Sequence, residues 1–135
     1  MNRTAIIVDK KLPLGQQANV IAILSAAMST ITSDMIDSEE IIDLNGNNHA
    51  GIKNNVVVLK ANATALLTLT EGIQEIEDID CVVFSKEGQQ YSDRFSEYKQ
   101  YISNNELKSL GVVGVAVYGE SEKVKSATKK FSLLR

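Results

Sequence analysis

Thr4-Ala5-Ile6-Ile7-Val8-Asp9, then Lys10-Lys11-Leu12-Pro13-Leu14-Gly15, then the almost wholly apolar stretch from Gln16 to Met28, is the segment that decides the fold. A short apolar run that breaks on a charged loop and resumes with helical composition predicts a strand, a tight connection and a helix. Such a unit opens a three-layer α/β domain and aims a loop and a helix N-terminus at one rim of the sheet, where ligands bind in these folds. The helix carries apolar residues on nearly every side, among them Val20, Ile21, Leu24 and Met28. A helix of that kind must be covered over most of its surface, so it is expected in the core or beneath a partner subunit.

The rest of the chain extends the same pattern. Glu40 to Leu44 reads as a weak strand ending at Asn45-Gly46, a turn signal because both residues tolerate positive φ, and Asn47 to Asn55 reads as loop. Val56 to Leu59 is a β-branched run typical of a buried strand, and Asn62 is the expected N-cap of a helix with Ala65, Leu66, Leu69 and Ile73 on one face. Ile79 to Phe84 predicts another buried strand, Ser92 to Ile102 a helix, Val112 to Tyr118 a third such strand, and Ser121 to Phe131 a last helix with Val124, Ala127 and Phe131 inward. The alternation predicts a mostly parallel or mixed sheet with helices on both faces. No repeat, low-complexity tract or linker interrupts it, so a single domain over residues 1–135 is expected.

Composition narrows the function. The 135 residues are 44% hydrophobic and 23% charged, ordinary for a soluble globule. Lys and Arg number 14 against 17 Asp and Glu, a net charge of -3, so the summed field does not draw phosphate backbones and nucleic acid is not an expected partner. Cys81 stands alone inside Cys81-Val82-Val83-Phe84, where it reads as a buried small hydrophobe in a reducing compartment. The N-terminal apolar run is too short for a signal sequence and no run approaches a membrane span, so a cytoplasmic location without membrane contact is expected.

Whole reaction classes lack their residues. A single histidine, His49, and one cysteine do not make a zinc site of the usual ligands, and no calcium-loop pattern occurs, so neither metal nor cofactor is expected. Gly111, Gly114 and Gly119 lie within or at the end of a strand with no Gly-Lys-Ser/Thr following, which points to close packing or a turn in place of a phosphate loop. There is no Gly-x-Ser-x-Gly elbow. Glu75, Glu77, Asp78 and Asp80 read as a solvated loop, and Lys123, Lys125, Lys129 and Lys130 as the outer face of the last helix and the one local basic patch.

The order of residues nevertheless resembles a known family. Val8-Asp9, Leu12-Pro13-Leu14-Gly15, Ala18-Asn19, Asn45-Gly46, His49-Ala50-Gly51-Ile52, Val58-Leu59-Lys60-Ala61, Gln90, Tyr98, Val113-Gly114-Val115-Ala116-Val117-Tyr118-Gly119 and Leu133-Leu134-Arg135 together resemble the bacterial domain of unknown function two thousand. That family is similar in fold to the type II peptidyl-tRNA hydrolases. The resemblance implies an α/β/α sandwich around a mixed four- or five-stranded sheet, often dimeric. It implies activity less well. The hydrolases carry a lysine beside the glycine that opens their first helix and an Asp-Ala-Gly-x-Thr-Gln segment after a later strand. Here Gln16 follows Gly15, and the later segment reads Phe84-Ser85-Lys86-Glu87-Gly88-Gln89-Gln90. A neutral amide does not supply cationic charge to a tRNA ester.

What remains is a polar rim. Gln16 and Asn19 open the first helix, whose free N–H groups and positive dipole end favour an anion or a carbonyl. Ser85, Gln90 and Ser92 follow a buried strand, and His49 sits on a loop able to lean over either group. The competing structural role has Asn19 tying down the Pro13 loop and Gln90 and Ser92 capping the next helix. Two functions stay open: a binding domain for a small polar or anionic ligand at the N-terminus of the first helix, and a hydrolase acting on an acyl or peptidyl ester. They differ in needing a general base, which only His49 supplies near neutral pH. The all-round apolar helix also predicts a homodimer that buries part of that helix or a sheet edge.

Overall fold

The computed structural model describes residues 1–135. β1 (Asn2–Asp9) lies at the centre of a five-stranded mixed sheet in the order β3-β4-β1-β2-β5, where β2 is Asn55–Ala61, β3 Asp80–Ser85, β4 Val112–Glu120 and β5 Ser132–Leu133. Only β1 and β2 run parallel; β4 is antiparallel to both β1 and β3, and β5 to β2. Five helices accompany the sheet: α1 (Leu14–Ile31), α2 (Ala63–Ile73), α3 (Lys86–Gln90), α4 (Phe95–Ser103) and α5 (Ser121–Thr128).

Period-two alternation along β1 divides the core between the two faces. Ile6 and Val8 pack with Val20, Leu24 and Met28 of α1, whereas Ala5 and Ile7 pack with Leu66, Leu69 and Ile73 of α2 and Val124 of α5. All four β1 residues are fully buried. Helices therefore cover both faces, as the alternation of elements requires. Asn62 is the N-cap of α2, its side-chain oxygen accepting the Ala65 N–H at 2.8 Å. The half-buried thiol of Cys81 is pushed up to about 11 by burial. A maleimide at pH 8 should accordingly label native protein at least about tenfold more slowly than unfolded protein; equal rates would contradict the buried setting.

The structure departs from the sequence reading in four places. Glu40 to Leu44 is no strand of the sheet. That stretch belongs to an arm over residues 36–52 that leaves the end of α1 and folds on itself through isolated antiparallel bridges, Ile36 with Ile52 and Ile42 with Asn48. Its turn lies at Asn45-Gly46, with Gly46 at φ +85°. Its root is tied down where the Tyr118 hydroxyl donates to Asp34 Oδ2 at 2.7 Å and the Asn54 amide to the Asp34 carbonyl at 2.7 Å. That bond from Tyr118 holds the Asp34 carboxyl below the usual carboxylate range.

The helix expected from Ser92 begins at Phe95, because Tyr91 to Arg94 forms a turn closed by the Arg94 N–H on the Tyr91 carbonyl; Ser and Asp at 92 and 93 favour such turns over helix interior. A short helix, α3, precedes it, fastened by Glu87, whose buried carboxylate accepts the Gly111 N–H at 2.8 Å. The last helix stops at Thr128, short of the expected Phe131, and the chain then runs back as β5 along β2.

Candidate functional site

The C-terminal end of β1 feeds the loop Lys10–Pro13 and then α1, the connection expected from the sequence. The Lys11 N–H donates to Asp9 Oδ1 at 2.9 Å, and the buried Gln17 amide donates to the Asp9 carbonyl at 3.3 Å, which fixes the loop. Pro13 precedes α1 and no side chain caps it; its first turn holds no acidic residue. Gln16 lies exposed in that first turn.

One turn further on, Asn19 meets the α3–α4 segment. Its Oδ1 accepts a hydrogen bond from Gln89 Nε2 at 3.2 Å. Beneath this pair of amides lies a cleft of about 400 Å3, walled by Ile23 of α1, Phe84 at the end of β3, Gly88 of α3, Tyr91 and Ser92 of the turn, and Phe95 and Tyr98 of α4. Four of these residues are aromatic. None of the nine lining residues carries a charge. A Cβ on Gly88 would run into the Phe84 ring, so glycine there lets the backbone close against the cleft floor. The Arg94 guanidinium lies outside, 4.8 Å from the Tyr91 ring centre and 3.2 Å from Glu97, where its charge is already engaged. Burial, and then the Glu87 carboxylate, push the Tyr98 phenol upward, so at neutral pH it remains an O–H donor. Phe95 is 72% exposed at the mouth.

Of the six residues singled out in the sequence, the structure brings Asn19 and Ser92 into this cleft. Gln16 stands beside it on the first turn of α1 and does not line it. Gln90 is exposed, its carbonyl accepts from Arg94, and it does not line the cleft; its neighbour Gln89 holds the place assigned to it. Ser85 is buried at 2% exposure and pairs with Val112, a member of the α2–α5 cluster, with no partner for its hydroxyl. His49 lies on the arm beyond the far end of α1, an 18-residue helix that spans about 27 Å. There His49 Nε2 lies 2.8 Å from Asp43 Oδ2. The His49 contact, then the Asn47 N–H, hold the Asp43 carboxyl down to about 2, and the Asn45 N–H adds to it. The histidine thus clasps its own turn.

Sequence reasoning missed Gln89 and the aromatic walls. The signal was present as Tyr91, Phe95 and Tyr98, three aromatics within eight residues of a chain that is only 5% aromatic.

With the geometry in view, comparison with known proteins is informative for the fold. The family model described as "Protein of unknown function (DUF2000)" matches residues 2–135. The chain belongs to the DUF2000 family. A solved structure of a protein of unknown function from Agrobacterium tumefaciens strain C58, Atu0240, is similar with a TM-score of 0.85 at 24% identity, covering 99% of this chain and 98% of that one. No curated protein matches the sequence. The DUF2000 fold is thereby supported over the whole chain. No helix of this DUF2000 chain is long and apolar enough to cross a membrane.

Proposed function

We propose that this DUF2000 protein is a binding domain whose ligand is a small, uncharged polar molecule with a flat ring, held in the cleft between α1 and the α3–α4 segment. The carrying observation is the lining itself: aromatic walls, the Asn19–Gln89 amide pair at the rim, and no charge among nine residues. Aromatic faces favour stacked rings, and amide side chains offer a donor beside an acceptor. Of the polar and anionic alternatives, the uncharged one follows, because an anion here would lose hydration without a cation to replace it. The nine lining residues include no imidazole, thiol or carboxylate, so the cleft gives the ester-hydrolase reading no general base.

The test compares isosteres. Benzamide should perturb the NMR signals of Asn19, Gln89 and Tyr98 and bind at least about tenfold more tightly than benzoate, with the preference lost in Asn19→Leu. Benzoate binding as tightly, or perturbations confined to other elements, would overturn the reading.

We further propose one domain over residues 1–135, a sandwich similar to the type II peptidyl-tRNA hydrolases, and a cytoplasmic setting in which Cys81 stays reduced. The mixed sheet with helices on both faces supports the first two, and the unpaired thiol the third. Pairing with a second copy belongs to the same proposal: α1 buries only Gln17, Val20, Leu24 and Met28, leaving Ile23 and Ile31 exposed.

A further inference from the structure

The chain carries two unpartnered surfaces of opposite character. The arm over residues 36–52 holds Ile36, Ile41, Ile42, Leu44 and Ile52, each at least 44% exposed. Two bridged segments without a covering layer are marginal in water, since a lone hairpin buries too little to hold itself. Yet this arm is hydrogen-bonded within itself, with the His49 N–H on the Ile41 carbonyl at 2.7 Å and the Asp37 N–H on the Gly51 carbonyl at 3.0 Å. Its charge is one-sided. Residues 34–53 contain five carboxylates and a single lysine, and that lysine, Lys53, is paired with Asp34 at 3.4 Å. No cation lies within ion-pair reach of Asp37, Glu39 or Glu40.

On the opposite face of the sheet, α2 and α5 enclose a groove of about 520 Å3 floored by Leu69, Ile73, Ile76, Ala127 and Phe131, with Lys130 on its border. Here the charge is reversed. Residues 121–135 hold four lysines and an arginine against one glutamate. Lys125 is paired with Glu122 and Lys123 with Asp78, whereas Lys129 and Lys130 have no carboxylate within reach.

We infer that the acidic, isoleucine-rich arm of one copy docks into the α2–α5 groove of a second copy, with Glu39 and Glu40 facing Lys129 and Lys130. The inference rests on the proposal that the chain pairs with itself and adds where it does so. Charge complementarity selects the occupant: the chain's basic apolar groove matches its own acidic apolar arm, and residues 121–135 carry five of the chain's 14 Lys and Arg residues. Because each copy offers both surfaces, a two-fold exchange satisfies both at once and closes the assembly. The end of α1, where Ile31 leads into the arm, is drawn under the partner by the same contact.

Charge reversal tests this on the full chain. Light scattering at micromolar concentration should give about twice 14.7 kDa for the unaltered protein. The variants E39K/E40K and K129E/K130E change exposed residues only, and circular dichroism checks that they fold. Each alone sets like charges against each other and should weaken the dimer at least about tenfold. Mixed together, the two variants regain opposite charges at both contacts and should form a heterodimer near the original affinity. An unaltered chain that stays monomeric overturns the pairing and the interface together. A dimer that ignores both reversals, or a mixture that fails to recover, overturns the arm-in-groove contact while leaving self-pairing intact.

Discussion

Leu24→Ala is expected to lower the stability of this protein by about 2–5 kcal/mol, read as a shift of the urea midpoint at constant slope. Leu24 is fully buried near the middle of α1 and packs with Ile6, Val8 and Ala116 across the sheet face. Truncation removes three carbon atoms from that contact and leaves a void which the sheet, held by hydrogen bonds on both sides of β1, has little freedom to close. The loss is large against a total stability of roughly 5–15 kcal/mol for a domain of this kind. An exposed apolar residue of the same helix sets the scale: Ile23→Ala should cost less than about 1 kcal/mol, since Ile23 is 42% exposed. Equal losses at the two positions would mean that α1 does not use the face described here.

The contrast between Leu24 and Ile23 also marks how far the sequence could be read. Strands β1 to β4 were legible because each is built on an apolar run, and the sheet leaves such runs no other place. The helix from Gln16 was legible too, but its orientation was not: apolar residues on every side give no period from which to choose the buried stripe. Gln17 is buried and Ala18 exposed, an outcome decided by the Asp9 carbonyl that Gln17 reaches and not by hydropathy. The arm defeated the reading for a different reason. Glu40 to Leu44 has strand-like residues, yet its pairing partner is Asn48 on its own arm in place of a strand of the sheet, a tertiary choice that local propensity does not encode.

The structure brings Asn19 and Ser92 into one cleft and leaves His49 on the arm, away from them. Position along a loop says little about which end of a helix that loop reaches. Gln89 rather than Gln90 meets Asn19 because α3 is a helix of five residues, and one residue of helix turns a side chain by about 100°. The aromatic walls come from three separate segments, β3, the turn at Tyr91 and α4, which only the fold assembles.

Gly114 provides the sharpest test of the packing that supports this cleft. A Cβ added there would lie 2.6 Å from Val20 Cγ1 and 2.8 Å from Leu24 Cδ1, with the Ile7 carbonyl oxygen at 3.3 Å. Gly114→Ala gains about 0.5–1 kcal/mol from reduced backbone freedom. Overpacking a tight core costs about 1–3 kcal/mol, and it wins here because the nearest neighbour is a fully buried, β-branched valine with one favoured rotamer in a helix. Val20→Ala alone should cost about 2 kcal/mol by removing two methyl groups from the core. The double variant differs from the sum of the two. With Val20 Cγ1 gone, the new methyl on residue 114 occupies part of the space it left, so the pair should be at least about 1 kcal/mol more stable than additivity gives, within the usual range for residues in contact. The measurement is a double-mutant cycle by urea unfolding. Additivity to within about 0.5 kcal/mol would mean that α1 does not seat on Gly114 as described, and with it the placement of Asn19 over the α3–α4 segment would fall.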